Sequence, residues 1–445
     1  MAKSARQITF EALMRVQEDS AYSNITLNSL LGRNSLSNRD KAFASMLFYG
    51  VLEKKLLLEY NLAQYSAKPV NKLDAAVLTI LGMGLYQLYF MDAVPESAAV
   101  NESVKLCKDN KLYSASKFVN AVLRAAAKEN NIKLPDKRRG KNKYLSIKYS
   151  CPEAIIRLWR SSYGDELTEG ILKELDGRPP MTARVNTLKI SKDELIGRFS
   201  DIGITAVSCE KVPDCIELQN TGAVEELALY KEGSFHIQDR ASQLCCGLLK
   251  AKSGNTVIDA CSAPGGKAFT LSEMMKNQGS MIACDLYEHR LGLIEDGAKR
   301  LGINIIETIA ASADKYRDFP QADRVLCDVP CSGLGIIRRK PELRYKQDLG
   351  LENLPDLQYN ILRNCADFVK KGGLLIYSTC TLNPDENGRN AERFLSERKD
   401  FEPYEISLPD GIRRGMDEPE NQLTLFPQIN GTDGFFISAF QKTGA

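Results

Sequence analysis

From residue 236 onward, short apolar runs return at intervals between helical stretches: TVIDAC, MIACD, NIIETIA, RVLCDVP, LLIYSTC and, near the end, GFFISAF. Strand, helix, strand in this rhythm commits a chain to a doubly wound, mostly parallel sheet, because parallel neighbours need a crossover and both sheet faces must then be covered. GFFISAF follows an irregular stretch containing Pro409, Pro419 and Pro427, and is expected as a final strand inserted antiparallel.

The front of the chain obeys a different period. Ser37 and Asp40 form an S-x-x-D cap ahead of Phe43, Met46, Leu47, Gly50 and Val51 at helical spacing. VLTILGMGLYQLYFM (77–91) is apolar nearly all round, as a central buried helix should be. Pro95 suits the first turn of the next helix, and Phe118, Val119, Val122 and Leu123 form one more stripe. Residues 1–130 therefore read as an all-α bundle. A basic linker or exposed loop, 131–146, follows within NNIKLPDKRRGKNKYLS. Over 147–235 a helix around 152–175, TARVNTL, a helix from Ser191 and CIELQ indicate a small α+β module, and 236–445 forms the sheet domain.

Charge divides along the same line. Residues 1–150 hold 23 Lys and Arg against 13 Asp and Glu, a net +10, and the remainder is net −8, so the whole chain sums to only +2. A basic front on an acidic body suggests that the front meets a polyanion, although solvated helix faces alone produce such a bias. No apolar run approaches a membrane span and the first residues lack an apolar signal core, so a cytoplasmic protein is expected. The 12 cysteines include no C-x-x-C, and His236 and His289 are the only histidines. Free thiols are expected, and no metal. Nothing demands more than a monomer.

Three stretches carry chemistry. DACSAPGGKAFTLSEMM (259–275) follows an apolar strand and opens a helix, and Gly265–Gly266 let a ligand approach main-chain N–H groups at the helix start. Asp285, at the end of the next strand, suits a ribose diol. Together they point to a nucleoside-bearing cofactor, with a tight structural turn as the plainer alternative. In DRVLCDVPCSGLGIIRRKPELRY a strand ends on Asp328, Pro330–Cys331 follow, and Arg338, Arg339, Lys340 and Arg344 make a cationic run suited to phosphates. In YSTCTLNP, Cys380 closes the following strand. Ligands of open α/β sheets bind beyond the carboxyl ends of the strands, so the two cysteines should converge on one cleft.

A lone cysteine at a strand end usually fills core; two beside a nucleoside site suit methylation of a pyrimidine at C5. That carbon is too weak a nucleophile to take a sulfonium methyl unaided. A thiolate adding to C6 makes C5 enamine-like, a base then removes the C5 proton, and an acid near N3 steadies the charge on the ring. The site must also favour the thiolate over a thiol of pKa about 8.5. The residues alone leave open which cysteine attacks.

CSAPGGK, DVPCSG with the trailing RRKPELRY, YSTCTLNPDENGRN, VNTLK and FHIQDRASQL resemble the motifs of the RNA cytosine-5 methyltransferases, which use S-adenosylmethionine. LGMGLYQLYF, VPESAAVNESVKL and KFVNAVLR resemble the NusB-like RNA-binding domain. The combination is similar to the bacterial enzymes that methylate one cytosine of small-subunit (16S) ribosomal RNA. The resemblance spans essentially the whole chain. It implies a Rossmann-like class I methyltransferase domain of α/β type, preceded by the small α+β module and the NusB-like bundle. It also implies that Cys261, Ser262, Ala263, Pro264, Gly265, Gly266 and Lys267 line the cofactor, with Asp285 on the ribose and Asp314 toward the adenine. The segment before Asp314 runs a few residues longer than usual. Asp328 would touch the target base. The resemblance makes Cys380 the nucleophile and gives Cys331 a part in product release, whereas DNA cytosine methyltransferases attack with the cysteine of a Pro-Cys pair like Pro330–Cys331. Where the family commonly shows a histidine after Phe-Pro, Gln428 and Asn430 stand. A non-catalytic RNA-binding or assembly factor, and a methyltransferase acting on transfer RNA, are the alternatives.

Overall fold

The computed structural model describes residues 3–18, 23–177, 179–346 and 353–444. The chain divides into two compact units, 1–177 with 337–347, and 178–336 with 348–445.

The first unit is helical. Its helices include Ala5–Glu18, Ser23–Gly32, Asn38–Glu53, Lys55–Leu62, Ala75–Phe90, Glu96–Asp109 and Ser116–Glu129. Ser37 starts one of them, its Oγ accepting the Asp40 N–H at 3.1 Å. Ile80, Leu81 and Leu85 of Ala75–Phe90 are buried against Leu13, Phe48 and Leu123, so this apolar helix is the core of the bundle. Pro95 precedes the Glu96–Asp109 helix as its cap rather than entering the first turn.

The basic linker is shorter than composition implied. Lys141–Tyr149 is a helix, because Leu145 and Tyr149, one turn apart, share a face that is buried. Glu153–Lys173 follows, broken at Gly164 (φ 75°). Both fall in the first unit, so the helical part of the expected small module sits with the bundle.

The cationic run 338–344 also belongs to the first unit. Arg344 is buried. Its guanidinium donates to the main-chain carbonyls of Glu53 at 3.2 Å, Ser150 at 3.3 Å, Tyr149 at 3.5 Å and Ile337 at 3.4 Å. Arg338 is buried too, 3.9 Å from the Glu174 carboxylate. The expectation that this run presents four cations to phosphate therefore fails for these two. Their charge satisfies helix-end carbonyls and a carboxylate inside the unit, while Arg339 and Lys340 are half-buried.

The second unit holds two sheets. The smaller contains β1 (Met181–Val185), β2 (Thr205–Ser208), β3 (Cys215–Gln219) and β4 (Phe235–Ile237), all antiparallel in the order β2-β3-β1-β4. The Lys192–Asp201 helix, capped by Ser191, buries Leu195 and Phe199 against it.

The larger sheet runs β10-β12-β9-β8-β5-β6-β7, with β11 paired to β12. Its strands are β5 (Thr256–Asp259), β6 (Ser280–Asp285), β7 (Ile306–Ala310), β8 (Ala322–Asp328), β9 (Val369–Thr379), β10 (Phe401–Pro403), β11 (Gln422–Leu425) and β12 (Phe435–Lys442). β7, β6, β5, β8 and β9 are parallel neighbours, and β12 lies antiparallel on β9, as GFFISAF foretold. Successive residues serve opposite faces. Leu326, Ile376 and Ile437 face one core with Phe269 and Ile294, whereas Val325, Leu375 and Phe436 face another with Tyr359 and Phe394. Burial on both faces explains why these strands read as continuous apolar runs. Strand order reverses between β5 and β8, the place where such sheets open a crevice for ligands.

Replacing Arg344 by Ala strands several buried carbonyls, and it should lower the unfolding free energy by about 2–4 kcal/mol, read as a shift in urea midpoint.

Candidate active site

The crevice is built from the ends of β5, β6, β8 and β9. After β5 the chain turns sharply through residues 260–265 into the Gly266–Met274 helix. Ser262 N–H donates to Cys284 O at 2.7 Å, which binds the turn to β6, and Gly265 N–H donates back to Ser262 O at 2.8 Å. Gly265 takes φ 103°, and a Cβ there would meet the Phe269 ring at 2.5 Å, so only glycine fits. Asp285, buried at the end of β6, accepts the N–H of Ala263 and of Tyr287, each at 3.2 Å. Arg290 lies 3.1 Å from its carboxylate and also donates to Ala263 O at 2.9 Å. This arginine was not singled out in the sequence, yet it ties the turn to the acid that faces it.

Two buried groups at the turn, the Asp259 carboxylate and the Ser262 hydroxyl, make no well-formed hydrogen bond among the described residues, although Ser262 and the Cys261 N–H lie near enough to the carboxylate to favour its charged form. Burial, and then the charge of Asp328, push the Asp259 carboxyl up to about 7. Buried polar groups left unpaired are costly, and their collection at a glycine turn fits a polar ligand that completes them. Leu286 and Tyr287, just past Asp285, stay 56% and 54% exposed and offer an apolar surface beside it. Asp314 lies after β7 and accepts the Ser312 hydroxyl.

At the end of β8 the Asp328 carboxylate accepts from Lys267 Nζ at 2.6 Å and from the Ser378 hydroxyl at 2.8 Å. Burial works against the Lys267 ammonium, but Asp328 beside it outweighs that and holds its pKa above the ordinary value. The pair joins the glycine turn to the β8 end, a role the spacing of the motif did not disclose. Parallel pairing sets Cys327 against Tyr377 and Asp328 against Ser378. The two loops therefore leave the sheet side by side, and Cys331 Sγ lies 3.2 Å from Cys380 Sγ. Both cysteines are half-buried thiols. Contact with Cys380 and burial push the Cys331 thiol well above the ordinary range. Gly335 N–H donates to Cys380 O at 3.0 Å, and a Cβ on Gly335 would strike Gly434 O at 2.0 Å, so three segments close on this cysteine.

Asp328, Cys331, Cys380, the 261–267 turn and Asp285 thus come together within the second unit, while the 338–344 run falls in the other unit. Among the described residues no group of three or more His, Cys, Asp or Glu is placed to hold a metal ion. Nor is any helix of the described chain long and apolar enough to cross a membrane.

Comparison with known proteins now adds the family. Residues 246–441 match the 16S rRNA methyltransferase RsmB/F model, 3–128 the NusB family, and 151–225 an RsmF/B-like ferredoxin-like domain. The chain is 37% identical, over 99% of both sequences, to a probable ribosomal RNA small subunit methyltransferase B of Bacillus subtilis. The chain belongs to the RsmB/F family of 16S rRNA methyltransferases. A Synechocystis member with the same description is 34% identical over 99% of each chain. Among solved structures, that of PH0851 is 26% identical, covers 99% of this chain and 100% of the other, and has a TM-score of 0.83. A methyltransferase homolog protein from Pyrococcus horikoshii is 25% identical, covers 68% and 99%, and has a TM-score of 0.60. As an RsmB/F member the chain is an S-adenosylmethionine-dependent rRNA methyltransferase, with a helical NusB region ahead of a mixed, mostly parallel sheet.

The Asp259 shift makes a stability prediction. Below about pH 4 the carboxyl is protonated folded or unfolded; between there and about 7 the folded state keeps a proton that the unfolded chain releases. Stability should therefore fall as pH rises through that window, and Asp259→Asn should remove this part of the slope in urea unfolding. Glu273, pushed up to about 8 chiefly by burial, acts in the same sense but is common to both proteins.

Proposed function

We propose that this enzyme transfers a methyl group to C5 of one cytosine in small-subunit ribosomal RNA through a covalent adduct between Cys380 and C6. The observation that carries the reading is the 3.2 Å approach of Cys331 and Cys380 beside the Lys267–Asp328 pair. The bound cofactor would supply an electrophilic sulfonium methyl. Cys261, Ser262, Ala263, Pro264, Gly265, Gly266 and Lys267 would line it, with Asp285 on the ribose and Asp314 toward the adenine. The poorly paired Asp259 carboxylate and Ser262 hydroxyl at the turn support that placement.

On the substrate side, Cys380 attacks as the thiolate and raises the nucleophilicity of C5. Asp328, bridged to the Lys267 ammonium, would meet the N3 edge and pass on a proton relayed from that ammonium, which offsets the negative charge that the thiolate brings to the ring. After methylation the C5 proton leaves to a base and the Cys380–C6 bond breaks. Cys331, 3.2 Å away, would as a thiol donate its hydrogen to the departing sulfur. The assignment of the two roles to these cysteines follows the family resemblance, supported by the upward shift of Cys331. A base must leave its stack to reach a strand-end pocket, so the target is a flipped or single-stranded cytosine.

RNA containing 5-fluorocytosine tests this directly. Wild type and Cys331→Ala should form an adduct that survives denaturing gels, and Cys380→Ala should not. Trapping by Cys380→Ala but not by Cys331→Ala exchanges the roles. Absence of both adduct and methyl transfer in the wild type would sink the reading and favour a binding factor.

The basic front of the chain would hold the RNA backbone. Lys137, Arg138 and Arg139 are exposed, in contrast to Arg338 and Arg344. Binding should weaken as salt rises, and replacing all three by Ala should flatten the slope of log K against log salt by about 2–3, measured by filter binding.

A further inference from the structure

Beneath the two cysteine loops lies a carboxylate that the chemistry above does not use. Glu386 is fully buried. Its Oε2 accepts the Ser332 main-chain N–H at 2.9 Å and the Gln358 amide at 2.8 Å. Its Oε1 accepts the Ser332 hydroxyl at 2.5 Å and the Asn383 amide at 3.0 Å. Ser332 directly follows Cys331, and Asn383 lies in the loop that Cys380 opens. Thr381, the neighbour of Cys380, lies 2.7 Å from Ser332 Oγ and donates to it, since the serine hydrogen is committed to Glu386. Gln358 also donates to Pro330 O at 2.9 Å, on the other side of Cys331. Residues flanking both cysteines thus converge on one carboxylate.

A buried carboxylate costs several kcal/mol in desolvation, and apolar side chains of the same volume would pack two loops with less penalty. Four donors satisfy this one, and they come from three separate segments of chain. A neutral amide of the same shape cannot replace it. Glutamine has one acceptor oxygen, and whichever way it turned its NH2 group would meet at least one amide N–H donor. The arrangement is therefore specific to a carboxylate.

We propose that Glu386 is the positioning residue that clamps the Cys331 and Cys380 loops together, setting the contact between their sulfurs and making Cys380 the more reactive of the two. This inference rests on the two-cysteine reading. The negative charge acts in the same direction as the geometry, because it adds to the Cys380 contact and burial in keeping Cys331 a thiol. Glu386 itself is buried, whereas Cys331 and Cys380 are each only half-buried.

The test is site-resolved alkylation of the free enzyme with iodoacetamide near neutral pH, read by mass spectrometry, for wild type, Glu386→Gln, Glu386→Asp and Ser332→Ala. In the wild type Cys380 should react at least about tenfold faster than Cys331. In Glu386→Gln the ratio should collapse toward one, and kcat for methyl transfer should fall by about 30-fold or more, with KM for S-adenosylmethionine within about twofold. Glu386→Asp, which keeps the charge, should recover part of both. Equal alkylation of the two cysteines in wild type overturns the proposal, as does a folded Glu386→Gln protein with the wild-type ratio. Should Glu386→Gln not fold, Ser332→Ala decides: it removes one donor to Glu386 and the acceptor of Thr381, and an unchanged ratio overturns the clamp. Alkylation needs neither RNA nor cofactor. A wild type that alkylates selectively yet forms no adduct therefore supports the clamp and rejects the C5 reading.

Discussion

Parallel pairing of β8 with β9 is the constraint on which the site depends. It sets Asp328 level with Ser378 and releases two loops in the same direction, so that cysteines 49 residues apart in sequence meet sulfur to sulfur. A shift of one residue in this register would turn Asp328 and Ser378 to opposite faces and separate the loops. The register is secured by packing on both sides of the sheet. Val325 and Leu375 commit to one core, Leu326 and Ile376 to the other. β12 covers what would otherwise be an open edge of β9.

The crevice is electrostatically economical. Lys267 reaches from the glycine turn to Asp328, so one ion pair unites the cofactor side with the strand end from which the cysteine loop departs. Asp285 and Arg290 do similar work at the other wall. Asp259 forms no ion pair among the described residues, and burial pushes its carboxyl up to about 7.

Charge has different duties in the two units. In the bundle unit the prominent run of arginines and lysine after DVPCSG is partly consumed by structure. Arg344 closes helix ends, as the main-chain carbonyls of Tyr149 and Ser150 show. The less conspicuous Lys137–Arg139 segment remains on the surface. A cluster of cations in sequence therefore does not by itself make an anion-binding face, since guanidinium is also well suited to binding several carbonyls at once.

Much of this was legible in the sequence. Apolar runs separated by helical segments determined a parallel sheet buried on both faces, because such strands need no polar side. DACSAPGGK, Asp285, Asp328 and the two cysteines could be placed at strand ends from periodicity alone, and the family resemblance gave them an order. The sequence could not supply the register, which depends on side chains packing across strands distant in the chain. It also could not supply the partners of Lys267, Arg290 and Glu386, whose roles exist only once loops from separate segments converge. Arg338 and Arg344 read as phosphate ligands for the same reason. Exposure is a property of the folded neighbourhood, and only the tertiary structure decided that their charge would be spent inside it.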